Sequence, residues 1–177
     1  QTTNHDVKAV EYWLQLRFKK TSKLKPWIPF IHFACTSEDI NNLAYARLLQ
    51  QYINSKFLPD LQQNLNNWTK LVRETKSMPM LARTHGQPAS PTTLGKELCN
   101  ICDRIKNAIL RIEHAPIRGK FNGAVGNFNA LHYTCSQIDW FAVTRDFIEN
   151  TLQLKYNPYR TQIESHDYIA EFLHIVQ

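Results

Sequence analysis

The stretch Met78-Pro-Met-Leu-Ala-Arg-Thr-His-Gly-Gln-Pro-Ala-Ser-Pro-Thr-Thr-Leu-Gly-Lys-Glu97 decides how the chain is read. Pro79, Pro88 and Pro91 forbid a continuous helix through it, and Gly86 frees the backbone directly after a histidine. The stretch therefore reads as a polar loop between two strongly helical segments, with Arg83, Thr84, His85 and Gln87 close together. Loops held between rigid helices are favoured places for catalytic groups, because the scaffold fixes the side chains while leaving them reachable. The plainer reading is an interhelical turn whose histidine caps a helix. The rest of the chain decides between the two.

Upstream, Thr2, Thr3 and Asn4 are good helix caps and Asp6 sits where the helix dipole favours negative charge, so a helix is predicted over 5–19. Lys25-Pro26 breaks it, and the proline-rich 26–31 reads as a hinge between modules. Thr36 or Ser37 caps the next helix, with Glu38 and Asp39 in its first turn. Ile40, Leu43, Leu48, Tyr52 and Ile53 recur at helical spacing. Pro59 then starts a new helix or kinks a continuous one, and the pattern runs on to Ser77.

Downstream, Leu94, Leu98, Ile101, Ile105, Ala108 and Ile112 form the seam of a helix that packs along other long helices. Gly119, Gly123 and Gly126 space a loop whose backbone can approach a ligand or another element. A helix over about 138–152, an irregular stretch over 156–167 and a last helix complete the chain. No parallel-sheet signal, repeat or low-complexity segment interrupts this pattern, so the expected fold is all-α, a bundle of long helices.

Composition narrows the class. A chain of 177 residues, 43% of them apolar, can bury a core, and its net charge of +6 is spread along the sequence, Lys19, Lys20, Lys23 and Lys25 being the one cluster. Such a surface suits anionic ligands, but there is no nucleic-acid motif, dense arginine stripe or stacking aromatic array. No apolar run is long enough to cross a membrane. The four cysteines do not make a secreted disulfide framework, which points to a reducing cytosol, and Cys99 and Cys102 read as core or near-core thiols. No cluster of ligands calls for a metal. The chain opens on Gln1 and stops at Gln177 within a helical pattern, so it is expected to be an internal piece of a longer protein.

Several motifs then stand in one order: Thr-Thr-Asn-His-Asp-Val-Lys-Ala-Val-Glu from Thr2, His-Phe-Ala-Cys-Thr-Ser-Glu-Asp-Ile-Asn-Asn from His32, Arg-Thr-His-Gly-Gln-Pro-Ala from Arg83, Gly-Lys-Phe-Asn-Gly-Ala-Val-Gly-Asn from Gly119 and Thr-Gln-Ile-Glu-x-His-Asp from Thr161. Together they resemble the bacterial adenylosuccinate lyases of the aspartase/fumarase superfamily, along nearly the whole chain. The resemblance implies the superfamily's long-helix bundle and an enzyme that eliminates fumarate from adenylosuccinate and from the succinyl-carboxamide ribotide. It also implies a cytoplasmic homotetramer whose active sites borrow loops from three subunits, with neither metal nor organic cofactor. Residues 1–25 would end an N-terminal helical domain, and 26–177 would begin the central bundle.

In that chemistry a hydrogen leaves the carbon beside a carboxylate, so negative charge builds on the carboxylate and preorganised donors must meet it. A helix start bearing the hydroxyls of Thr36 and Ser37 offers such donors. By match to the family motif, His85 is the general acid that protonates the leaving nitrogen. Asn4, His5 and Asp6 match substrate contacts, and Thr84 and Gln162 match positions that bind the succinyl portion. Lys96 either supplies charge to the dianionic succinyl group or, the plainer reading, solvates the helix surface.

The family's base is a serine on a Ser-Ser-x-Met-Pro-x-Lys-x-Asn loop, and no such loop occurs in this sequence. The chain carries the acid half of the proposed site and is expected to be inactive alone. After Gly126, Leu131 stands where the family has a histidine, so His132 receives no role. Two rivals remain. A sister lyase, such as one for argininosuccinate, would usually show Thr-His-Leu-Gln in the central loop, and a non-catalytic helical assembly module would leave the polar loops unexplained.

Overall fold

The structure is a computed structural model and describes residues 4–177. Thr2 and Thr3, read above as caps, lie outside the described residues. The chain forms two compact units, Gln1–Leu49 with Pro116–Asp167, and Gln50–Ala115 with Tyr168–Gln177.

In the first unit, helix α1 (Asp6–Lys19) is followed by a short 3₁₀ turn over Lys25–Phe30, where Pro26 and Pro29 prevent an α-helix. The cap of α1 is His5 rather than Asn4, because the His5 ring nitrogen accepts the Lys8 N–H and satisfies an otherwise orphaned donor. Helix α2 (Ser37–Tyr52) begins here, directly after Thr36. Its Leu43 and Ala46 are buried, as are Leu131, Ile148, Leu154 and Tyr156 from the later part of the unit.

The second unit is built on α3 (Leu58–Thr75) and α4 (Leu94–His114), joined by strands β1 (Pro79–Thr84) and β2 (Gln87–Thr93). A π-helical turn over Ile53–Phe57 leads from α2 into α3. Helix therefore runs without a break over 37–75, and the π-helical turn directly before Pro59 is where the run accommodates the proline ring and its missing N–H. Leu65, Cys102 and Ile109 form the core between α3 and α4, flanked by Leu58, Leu61, Trp68, Val72 and Ile105. Gly95 allows the close approach at the start of α4, since a Cβ there would lie 2.6 Å from Lys76 Cα.

The buried stripe of α4 is Cys102, Ile109 and Ile112, with Ile105 half-buried, while Ile101 remains 42% exposed. The packed face is therefore turned slightly from the predicted seam, because α3 covers a single stripe of the helix. Cys102 is a core thiol as expected. Cys99 is exposed because it flanks Cys102 on the side away from Ile105, Ile109 and Ile112, at the edge of the stripe that α3 covers.

Returning to the first unit, β3 (Arg118–Gly119) and β4 (Lys155–Tyr156) make a parallel pair too short to leave a pattern in the sequence. Between them lie α5 (Asn129–Thr134) and α6 (Trp140–Asp146), the latter capped by Asp139 and ending in a π-helical turn over Phe147–Thr151. In the second unit, the last helix, α7 (Asp167–Val176), brings Phe172 against Phe57 with ring centroids 5.5 Å apart. The fold is thus predominantly helical, as the periodicity predicts.

The glycine-rich loop approaches another segment of its own unit rather than presenting open backbone. Gly126 has φ +83°, and a Cβ there would lie 1.7 Å from the carbonyl oxygen of Arg160. Gly126→Ala in the complete parent protein is expected to cost at least about 2 kcal/mol, combining left-handed strain with a clash against backbone, as chemical denaturation would measure.

Candidate active site

Two groups of residues named from the sequence come together in the first unit. His5 Nδ1 accepts the Lys8 N–H at 3.3 Å, which leaves the proton of a neutral ring on Nε2. That nitrogen lies 3.4 Å from Ser37 Oγ, so the cap of α1 aims a donor at the start of α2. Asp6 Oδ1 accepts the Val7 N–H at 2.8 Å and stands 3.6 Å from His5 Nδ1. Asn4, His5 and Asp6 are all exposed, Asn4 with φ +48°.

The start of α2 is held by a group that the sequence reading passed over. Asp39 stands in the first turn of α2, as its place in the sequence predicts, and it is fully buried. Its carboxylate accepts the Thr36 N–H at 3.0 Å and those of Asn122 and Gly123 at 3.2 and 3.1 Å, and it pairs with Lys120 Nζ at 2.8 Å. The reach back to Thr36 is half of a capping box. Lys120 is itself fully buried, and its Nζ also donates to the Gly123 carbonyl at 3.2 Å. Asn42, also buried, brackets the Lys120 backbone, donating to its carbonyl at 3.0 Å and accepting its N–H at 2.9 Å. No local pattern in the sequence marks Lys120 as buried, since a lysine beside a glycine in a loop is ordinarily solvated.

Beside this ion pair, burial pushes the Cys35 thiol up to about 12, with Asp39 adding to the shift and Lys120 opposing it. The thiol donates to the Phe33 carbonyl at 3.3 Å. Cys35 therefore stays protonated at neutral pH and is no nucleophile. At pH 8 it is expected to resist a thiol-alkylating reagent, with labelled sites counted by mass spectrometry.

Gln162 is exposed on the segment that packs against the glycine-rich loop. There Asn122 Nδ2 reaches the carbonyls of Pro158 and Arg160 at 3.3 and 3.4 Å, and the Asn157 N–H donates to the Gly119 carbonyl at 2.9 Å. Thr36, Ser37 and Gln162 thus sit on segments fastened to one buried polar group.

Thr84 and His85 belong to the second unit. The predicted loop is a β-hairpin: β1 and β2 pair antiparallel from Pro79↔Thr93 to Thr84↔Gln87, with an irregularity between Leu81 and Arg83. Pro88 and Pro91 are compatible with the ribbon because a two-stranded ribbon has only edge strands, whose outward N–H positions need no partner. His85 and Gly86 form the two-residue apex, with φ +50° and +75°, the positive pair that a type I′ turn requires. Histidine is one of the few side chains that enter this region readily. The imidazole is exposed at the tip, with Thr84 and Gln87 exposed on either side. Lys96 pairs with Glu97 at 3.0 Å on the surface of α4, and His132 is exposed on α5.

Among the described residues no group of three or more His, Cys, Asp or Glu is placed to hold a metal ion, and no helix is long and apolar enough to cross a membrane.

A family model described as a lyase matches residues 1–177. The chain is 48% identical over 176 residues to an adenylosuccinate lyase of Haemophilus influenzae, covering 99% of this chain and 38% of that protein. With an adenylosuccinate lyase of Escherichia coli the identity is 44% over 176 residues, at the same 99% and 38% coverage. A solved structure of the 3-carboxy-cis,cis-muconate lactonizing enzyme from Pseudomonas putida superposes with a TM-score of 0.73 at 19% identity, covering 96% of this chain and 36% of that one. At that identity the likeness is one of fold. The chain spans about 38% of the length of the curated relatives it matches. With the match running from Gln1 to Gln177, the chain belongs to this lyase family and has the helical fold of the aspartase/fumarase superfamily.

Proposed function

We propose that the protein of which this chain is part eliminates fumarate from adenylosuccinate to give AMP, and likewise from the succinyl-carboxamide ribotide. The observation that carries the reading is the exposed His85 at the apex of the β1–β2 hairpin, framed by Thr84 and Gln87, in a chain whose relatives are named for this substrate. A histidine fixed in backbone but free in solvent can enter another surface and give its proton to a leaving nitrogen. The hydroxyls and N–H groups of Thr36 and Ser37, with Thr84 and Gln162, hold the succinyl carboxylates where charge accumulates. Asn4, His5 and Asp6 contact the substrate, with His5 Nε2 directed toward Ser37. Acid and base side chains suffice for this elimination, so no cofactor is required.

The assembly we propose is a cytoplasmic homotetramer in which residues 1–25 end an N-terminal domain and 26–177 begin the central bundle. Trp13, Leu16 and Leu48 are 54%, 59% and 64% exposed in this part of the parent, apolar surface for the remainder of that chain or a second copy to cover. Small anionic substrates, not nucleic acid, are its ligands. The test is AMP release, followed by absorbance, from the complete parent and from residues 1–177 alone. Turnover is expected from the parent and none from the 177-residue chain, which contains no Ser-Ser-x-Met-Pro loop to supply a base. A parent that acts on argininosuccinate instead would favour the sister lyase, although the Thr-His-Gly-Gln sequence at 84–87 argues for the purine substrate.

A further inference from the structure

We infer that Asp39 is a positioning residue that sets the substrate-binding start of α2, with Lys120 as its counter-ion and Asn122 as its link to the Gln162 segment. This rests on the functional reading above, in which Thr36, Ser37 and Gln162 bind the succinyl portion. The geometry goes beyond what a helix cap needs. One carboxylate gathers three backbone N–H groups from two separate segments, those of Thr36, Asn122 and Gly123, and closes on a lysine that has no solvent exposure. Asn122 then carries the fixed point onward to the Pro158 and Arg160 carbonyls, and Gly126 meets Arg160 closely enough to exclude any side chain. The backbone that offers donors at residues 36 and 37 is thereby held in register with the backbone that carries Gln162.

A buried ion pair alone does not require this arrangement, because two neutral residues of similar size often replace such a pair without loss of stability. That fact separates the two roles. Asp39→Asn alone strands a buried ammonium and Lys120→Met alone strands a buried carboxylate, whereas the double variant D39N/K120M strands neither. Its amide nevertheless cannot reproduce the carboxylate. Whichever way the amide turns, its NH₂ faces backbone donors, either those of Thr36 and Gly123 or that of Asn122.

The experiment uses D39N/K120M in the complete parent protein, with steady-state kinetics on adenylosuccinate and hydrogen exchange resolved to the peptides covering 34–40 and 120–126. We expect a folded, assembled enzyme whose KM rises by about tenfold or more and whose kcat falls with it, since the same donors meet the developing charge, with faster exchange at Thr36, Asn122 and Gly123. Wild-type KM and wild-type exchange in the folded double variant would reduce the pair to a structural one and overturn the inference. If the double variant does not fold, Asn122→Ala decides instead. It leaves the ion pair in place and is expected to raise KM and to speed exchange over 158–162, and unchanged values for both would overturn the inference. A wild-type parent that releases no fumarate would sink the functional reading, and the exchange measurements would still decide whether Asp39 sets these segments.

Discussion

In the complete parent protein, His85→Ala is expected to lower kcat by about 10²- to 10⁴-fold, the usual contribution of a positioned general acid. The fold should not change. His85 lies at the solvent-exposed apex of the β1–β2 hairpin, so truncating its ring leaves no cavity in the chain. Alanine at φ +50° adds some local strain, which His85→Asn controls for, because asparagine accepts this conformation and cannot act as the acid. Both variants should keep the wild-type helical circular dichroism and oligomeric mass while losing turnover together. Full turnover by either one would remove His85 from the reaction and revive the reading of the chain as a non-catalytic assembly module.

The second large effect is on stability. Lys120→Met is expected to destabilise the protein by roughly 3–5 kcal/mol, the range found when one partner of a buried ion pair is removed. The physical cause is the Asp39 carboxylate, fully buried and 2.8 Å from Lys120 Nζ, which keeps its three N–H donors but loses the charge that balances it. By contrast, Lys96→Met should have little effect, since the Lys96–Glu97 pair is exposed and such pairs contribute about 0–1 kcal/mol. Denaturant midpoints of the two variants, measured on the parent under identical salt, make the comparison. Equal midpoints would mean that the Asp39 carboxylate finds compensation elsewhere.

These contrasts show where sequence reasoning reaches and where it stops. Helical periodicity placed α1, α2, α3 and α4 closely, because a helix is organised by neighbours three and four residues apart and each signal is local. The prolines correctly broke the chain at 79–91, but proline forbids a helix without choosing what replaces it. The hairpin depends on pairing Pro79 with Thr93 across the turn, and alternating polarity is weak in a ribbon exposed on both faces. Cys99 and Cys102 illustrate the same limit on a helix: spacing put both near the seam, and the position of α3 buried only one of them.

What the sequence by itself determined is the class of fold, the helix boundaries near their caps, the family resemblance and the identity of the polar residues at the loops, since each of these is written in local patterns or in motif order. Only the tertiary structure decided that His5 turns Nε2 toward Ser37, that Gly126 serves packing against Arg160 and Thr161, and that Asp39 and Lys120 meet in the interior. Asp39 and Lys120 are far apart along the chain, and nothing within reach of either one in sequence distinguishes a buried, paired charge from a solvated one. Their partnership exists because folding removes water from both at once, leaving each as the nearest source of compensation for the other.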